Sequence, residues 1–502
     1  MKARTLLQKM IRPEEHSLKI RGIRAAAWSF LAKGVEHAFR MAGNLVLTRL
    51  LFPEAFGIMA TALAVLTVIH LFSDTGVRTS IIQNPRGDEP EFLNTAWVIS
   101  LCRAVLLSIA VALLAWPVSH YYNHPELKGI LLVLALHPLI LGLENPAFVL
   151  FIKRFRVEKQ VLVDLGAQVL GLTASIVLAY LLRSVYALVA SPLLSSLSRV
   201  AASYLLQPYR PRLEWNKKAF EELFHFGKYI FFNTIVSAAV MNSDVLMIGK
   251  MLDMETLGTY SIGRNIGLMV WLFCLQVFAQ SYLPAVSTVA GDPARIRNIY
   301  RKTTALALAF AVPVSILLSL FSGDIIRMLY DSRYENASIA LFWISASVIF
   351  RVISLANSNT FIGTGRPVYE ILSMAVGLAA LCLFIPLGAR FRGLAGAAGG
   401  MFCGMVVVTA AESVFMVQGI KFPLKVALYP WIQALLLSFA MVGLFRFVRP
   451  WLAGGSFFNL PFLAIMGSAG LVLSLGVYVL FQGLHPFRDK APKQWEGELS
   501  PS

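Results

Sequence analysis

Four ionisable residues stand together where an apolar stretch should carry none. Lys33, Glu36, His37 and Arg40 lie within the apolar run 23–47. Their spacing of 0, 3, 4 and 7 puts all four on one face of a helix. Lipid cannot solvate such a stripe, so it must face other protein or a water-filled cavity. Glu36 precedes Arg40 at the favourable i,i+4 distance and could neutralise it as a purely structural pair. Two cations and a histidine exceed what one carboxylate balances, however, and this favours a cavity lining. Cationic groups in such a place suit an anionic ligand, phosphate above all.

Other charges inside apolar runs sort by depth. Arg103, Arg199, Lys228 and Arg351 fall within a few turns of the ends expected to be cytoplasmic and are expected to snorkel outward. Arg78 sits at such an end too, one turn after Asp74. Arg40 and Arg264 differ, because both lie in the outer halves of their runs. Asp244 lies at a depth similar to Arg264 and is its expected partner. Lys33, His37, Arg40, Arg78 and Arg264 are therefore the candidate ligand-binding cations. Glu36, Asp74 and Asp244 are candidates for charge tuning or ion coupling. The chain carries no Walker A loop, GxSxG or HExxH, and no acidic pair in a long loop. No enzyme activity, cofactor or metal site is expected. Cys102, Cys274, Cys382 and Cys403 all fall within apolar runs and read as packing residues.

The elements that position these groups follow from composition. Of 502 residues 57% are hydrophobic and only 14% charged, and the mean hydropathy is +0.68. A soluble chain could not hide that much apolar surface. Runs of about 20 apolar residues, the length that crosses a bilayer core, recur about fourteen times, from 23–47 to 460–483. Continuous rather than alternating runs exclude a β-barrel. The basic residues 1–22 lack an apolar core, so no cleaved signal is expected. The net charge of +17 could suggest nucleic acid. Its cations instead cluster in the loops on one side, at Lys2–Arg24, Lys153-Arg154, Arg210–Lys218, Arg295–Lys302 and Arg488–Lys493, as positive-inside orientation requires. Both termini are then cytoplasmic, and no nucleic-acid partner is expected.

The segment Arg49-Leu-Leu-Phe-Pro-Glu-Ala-Phe-Gly57 returns 201 positions later as Lys250-Met-Leu-Asp-Met-Glu-Thr-Leu-Gly258. Both copies sit in a tight turn between two long apolar runs, the mark of a duplicated half. The expected architecture is all-α and polytopic, with two pseudo-symmetric six-helix lobes and a C-terminal helix pair. Its parts are a cytoplasmic segment 1–22, an N-lobe 23–207, a linker 208–223, a C-lobe 224–420, the pair 421–485 and a tail 486–502. At the same offset, Lys33, Glu36, His37 and Arg40 fall on Thr234, Ser237, Ala238 and Met241, and Arg264 falls on Leu63. The scaffold was copied and the charges were not, which marks them for a ligand. Gly396, Gly400 and Gly404 form a GxxxGxxxG stripe expected to allow close helix packing. Pro138, Pro146, Pro192 and Pro313 are expected to kink their spans.

The first turn with Phe72-Ser-Asp-Thr-Gly76 and Ile81-Ile-Gln83 resembles the first hairpin of the polysaccharide transporter family. Asn242-Ser-Asp-Val-Leu-Met-Ile-Gly249, Pro284-Ala-Val-Ser287 and Gly363-Thr-Gly-Arg-Pro367 extend the resemblance. That family shares a superfamily with multidrug exporters and lipid II flippases, and the likeness covers nearly the whole chain. It implies a flippase of the bacterial inner membrane that moves undecaprenyl-pyrophosphate-linked oligosaccharide for O-antigen, capsule or exopolysaccharide assembly. Membrane lipid and polysaccharide polymerase machinery would be its other partners, and a monomer is expected. Related flippases hold pyrophosphate with arginines of the first, second and eighth spans, the spans that carry Arg40, Arg78 and Arg264 here. The second turn departs from the family pattern at Asp253-Met254, which puts its shape in question. A drug/cation antiporter of the same superfamily and a membrane glycosyltransferase or polymerase are the rival readings. The first should have an acidic, aromatic cavity and the second a large outer loop with catalytic residues.

Overall fold

The computed structural model describes residues 18–71, 76–154, 156–289 and 291–452, with 470 and 474; the side chains described exclude 18–33, 79, 218–219, 221–235, 280 and 447–452. Its α-helices of six residues or more run, in chain order, α1 (Leu18–Leu50), α2 (Pro53–Leu71), α3 (Val77–Gln83), α4 (Pro90–Tyr122), α5 (Pro125–Leu134), α6 (Leu136–Gly142), α7 (Val157–Leu182) and α8 (Tyr186–Leu206). They continue with α9 (Lys217–Met251), α10 (Met254–Gly267), α11 (Met269–Val277), α12 (Leu283–Thr288), α13 (Pro293–Leu320), α14 (Ser322–Leu329), α15 (Ala337–Gly363), α16 (Val368–Gln418) and α17 (Leu424–Leu452). Helix thus occupies every expected run up to 427–448. The last run, 460–483, lies outside the described residues apart from Gly470 and Ser474, as do the segment 1–17 and Asp74. Among the described residues eight helical segments are long and apolar enough to cross a membrane, counting α5 and α6 together as one.

Local signals explain the main breaks. The apolar stretch 161–206 divides at Arg183, whose left-handed φ of 48° ends α7. In α16 the backbone leaves helical geometry at Arg392 and Gly393, and Gly393 takes φ 54°, so the element is two spans joined by a sharp turn. The glycine stripe then zips the two halves. A Cβ on Gly396 would lie 1.9 Å from the Gly388 carbonyl oxygen, and one on Gly400 2.3 Å from that of Phe384. The stripe is therefore a close-packing surface. Helix α9 begins at Lys217, inside the expected linker, and the run 258–282 is interrupted by a π-helical turn at Phe278–Tyr282. The cysteines divide: Cys274 is buried, whereas Cys102, Cys382 and Cys403 lie on the outer faces of their helices.

Two bundles result. In the first, α7 packs on α1 and α8, and α4 packs on α5 and α6. In the second, α15 is the hub for α10, α13 and α16, with α9 against α16. The bundles meet chiefly where α2 packs on α10. There the two copies of the repeated turn lie back to back. A Cβ on Gly57 would sit 1.9 Å from the Met254 carbonyl oxygen, and a Cβ on Gly258 1.8 Å from that of Pro53. Pro53 and Met254 are equivalent positions of the repeat, as are Gly57 and Gly258. The contact therefore has internal two-fold symmetry, and glycine is required on both sides because backbone meets backbone. The departure at Asp253-Met254 leaves the register intact. Asp253 caps α10 by accepting from the Thr256 N–H (2.7 Å) and hydroxyl (2.9 Å), and the helix starts at the position equivalent to Pro53.

We call the end of the molecule with these turns the turn end, and the opposite end, which carries residues 207–216, the linker end. At the turn end the bundles are tied. Tyr334 donates to the Leu51 carbonyl (3.0 Å), Arg333 donates to the Thr48 carbonyl (3.1 Å), and Tyr122 donates to that of Leu246 (3.0 Å). At the linker end, residues 207–216 are strapped to the first bundle. Asn94 donates to Glu214 (2.7 Å), Asn216 to Glu91 (2.8 Å), and Asn145 to the Tyr209 carbonyl (2.8 Å).

Candidate functional site

Between the bundles lies a cavity of about 770 Å³, within the range of ligand pockets, whose ionisable lining among the described residues includes Glu36, His37, Arg40, Asp164, Arg199 and Arg264. Asn44, Gln168, Asn242 and Asn265 add neutral polar groups. Helix α1 contributes the charged stripe, and the short helices α10 and α11 the facing wall. Leu47, Phe56 and Tyr330 belong to the lining too, beside the ties of the turn end.

Three charge clusters organise the site. On α1, Arg40 donates to Glu36 at 2.8 Å, and its side chain is 58% exposed. Gln168 of α7 donates to the Glu36 carbonyl oxygen at 3.0 Å and fixes this stretch against the first bundle. On the second bundle, Arg264 Nε donates to Asp244 Oδ2 at 2.6 Å. Its Nη2 donates to the Met241 carbonyl at 2.7 Å. Asp244 is fully buried and also accepts from the Tyr260 hydroxyl (2.7 Å) and, through Oδ1, from the Val245 N–H (2.9 Å). Near the linker end, Arg199 of α8 donates to Glu144 (3.0 Å) and to Asp164 of α7 (2.8 Å).

The structure thus brings Glu36, His37, Arg40 and Arg264 into one cavity, with Asp244 directly behind its wall. Arg78 is not among the lining residues. It opens α3 after Gly76, and the charges that reach it are those of Glu144, Arg199 and Asp164. Lys33 lies on α1 with its side chain outside the described residues. Arg40, Arg199 and Arg264 line the cavity against the carboxylates of Glu36 and Asp164, and each arginine holds a carboxylate, Arg264 taking Asp244 from behind the wall. The inventory by span missed acids contributed by other spans.

Two arginines expected to snorkel do not. Arg199 is instead the centre of a carboxylate bridge. Arg351 of α15 is 7% exposed and lies beside the Trp271 ring, 5.8 Å from its centroid. Arg199 had a legible signal, since Glu144 and Asp164 lie in neighbouring runs at similar depth. Arg351 had none, because depth does not reveal which way a helix face points. His137, for which the sequence offers no partner, lines the cavity edge-on to His70 with ring centroids 5.9 Å apart.

Comparison with known proteins places this arrangement. Residues 46–339 match the family described as polysaccharide biosynthesis protein. The chain belongs to that family. Among curated relatives, it is 20% identical to the lipopolysaccharide biosynthesis protein WzxC of Escherichia coli, over 80% of this chain and 82% of that protein. It is 22% identical to the amylovoran biosynthesis protein AmsL of Erwinia amylovora, over 48% of this chain and 63% of that one. It is also 22% identical to the succinoglycan biosynthesis transport protein ExoT of Rhizobium meliloti, over 62% and 63%. The match therefore spans a little under two thirds of the last two relatives. Among solved structures, the lipid II flippase MurJ in an inward closed conformation superposes with a TM-score of 0.70 at 12% identity, covering 91% of this chain and 99% of that one. An inward-facing multidrug transporter of the MATE family gives 0.62 at 15% identity, over 77% and 94%. The fold of this family member is that of these transporters, and the protein is a multi-span membrane protein.

Proposed function

We propose that the protein is a flippase that moves undecaprenyl-pyrophosphate-linked oligosaccharide repeat units across the bacterial inner membrane by alternating access, for O-antigen, capsule or exopolysaccharide assembly. The observation that carries this reading is the arginine-bearing cavity between two bundles in a member of the polysaccharide biosynthesis family. The turn end faces the periplasm and the linker end the cytoplasm, with both termini cytoplasmic. Residues 23–207 and 224–420 act as the two lobes, joined by 208–223, and 421–485 follows them as an added unit. The internal two-fold contact at Gly57 and Gly258 gives the lobes a natural axis about which to rock.

In this reading Arg40 and Arg264 contact the pyrophosphate, and Lys33 and His37 assist. Glu36 and Asp244 hold the two arginines until the ligand replaces them, so each exchange is charge-compensated. Arg78 acts at the linker end, where Asp74 is its sequence neighbour. The polyprenyl tail stays in lipid while the headgroup crosses. Polymerase machinery would receive the product at the outer leaflet. A drug/cation antiporter would present bare carboxylates to the cavity; here the lining carboxylates Glu36 and Asp164 are paired with Arg40 and Arg199, and Asp244 is fully buried behind Arg264.

The test replaces Arg40 and Arg264 singly with Ala in cells lacking the endogenous protein. Membrane-inserted variants should export much less polysaccharide than wild type. Wild-type export by both would overturn the anion-site assignment.

A further inference from the structure

Arg351 is a guanidinium stored where none should be stable. It is buried in α15, and among the described residues it forms no ion pair. Its hydrogen bond to the Ser347 hydroxyl is long, at 3.4 Å, and its other contact is the face of Trp271. An arginine stays protonated in a protein interior, and an uncompensated buried cation in a membrane span is costly unless it has a task. Its helix packs directly on α10, which carries Tyr260 and Arg264: a Cβ on Gly263 would lie 2.2 Å from the Ala337 carbonyl oxygen and one on Gly267 2.9 Å from the Ile344 side chain. Asp244 and Arg264, with the Tyr260 hydroxyl beside them, are the charged groups whose fields reach it. At the repeat offset, Asp244 and Arg264 fall on Gly43 and Leu63. The cluster has no counterpart in the first half.

Counting charge shows what Arg351 adds. Arg264 and Asp244 alone make a neutral pair, which attracts an anion only weakly. With Arg351 the cluster carries one net positive charge. We propose that Arg351, sealed behind the cavity wall, is the positioning charge that makes the Arg264–Asp244 pair a receptor for a diphosphate-bearing lipid. It is also the second cation available to Asp244 once the anion engages Arg264. Without it, freeing Arg264 would leave a fully buried carboxylate with only the Tyr260 hydroxyl and the Val245 N–H. Arg351 touches no ligand in this arrangement; it acts through Asp244. The inference rests on the reading that the cavity binds a phosphate-bearing ligand.

The experiment measures binding of a short-chain polyprenyl diphosphate to the purified full chain in detergent. Arg351→Gln removes the net charge and should weaken binding by about tenfold or more, given unit charges interacting through a protein interior. Arg351→Lys keeps the charge and should stay within a few-fold of wild type. The decisive variant is Arg351→Gln combined with Asp244→Asn, which restores one net positive charge and should recover most of the affinity. Equal binding by wild type and Arg351→Gln would overturn the inference while leaving the flippase reading in place. So would a double variant as weak as Arg351→Gln, because Arg351 would then act only in packing. Absence of probe binding by wild type itself would overturn the underlying reading, and this inference with it.

Discussion

Replacing Arg264 with Met should damage the protein in a way that a second substitution repairs. Asp244 is fully buried and depends on Arg264 Nε at 2.6 Å for its counter-charge. Removing one partner of a buried ion pair costs about 3–5 kcal/mol, here toward the lower end because Arg351 still faces Asp244 within the cluster. Asp244→Asn in the same chain removes that charge and keeps an oxygen for the Tyr260 hydroxyl, now 2.7 Å away. What is then lost is the hydrogen bonding of the pair, about 0.5–1.5 kcal/mol net per bond. The double variant should therefore be more stable than Arg264→Met by roughly 2–4 kcal/mol, the difference between these costs. Thermal unfolding in detergent reads this out. Scaling from domains of about 150–250 residues, 3 kcal/mol corresponds to at most roughly 6–12 °C, and less in a longer chain. Neither variant should support export, since both lack the cavity guanidinium. If Arg264→Met and the double variant unfold together near wild type, Asp244 carries no buried charge that needs Arg264, and the description of the site fails.

The two-fold contact and the turn-end tie give further expectations. Gly57→Ala and Gly258→Ala should each destabilise by about 1–3 kcal/mol, since the new methyl meets a backbone carbonyl that cannot step aside. Gly443→Ala, which meets nothing within 4 Å, should be neutral or slightly stabilising; equal melting temperatures for all three would refute the contact. Hydrogen bonds from Arg333 hold the Asp331 carboxyl below its usual range. A depressed carboxylate contributes stability above its unfolded value of about 4, and that contribution is lost as pH falls through the folded value. The melting difference between wild type and Asp331→Asn should therefore be small, since both side chains are about one-third exposed. It should vanish in acid, and a difference that grows on acidification would contradict the pairing.

Much of this architecture was legible in the chain. The repeated turn is visible because a backbone–backbone contact tolerates only glycine, so Gly57 and Gly258 survive in register while side chains between them drift. Helix lengths follow from bilayer thickness, and the Arg264–Asp244 pair follows from matched depth in adjacent spans. The partners of Arg199 share its depth in neighbouring runs, yet depth alone does not pair them with it. Glu144 and Asp164 lie 55 and 35 positions away, and each reads alone as an unremarkable acid near a span end. The placement of Arg351 was hidden because hydropathy measures distance to the interface and carries no information on helix rotation. The cation excess of α1 likewise counted one helix, whereas the charge balance of the cavity is set by α1, α7, α8 and α10 together, with Asp244 of α9 behind the wall.

The central claim, that the protein moves lipid-linked repeat units between leaflets, is tested most directly by where those units reside when it is depleted. Cells can be labelled with a probe that reaches only the outer leaflet, and the labelled and total lipid-linked pools compared. The account predicts that the units accumulate on the cytoplasmic leaflet, protected from the probe, and that wild-type protein releases them. Accumulation of unpolymerised units on the outer leaflet would contradict it, because translocation would then have occurred without this protein.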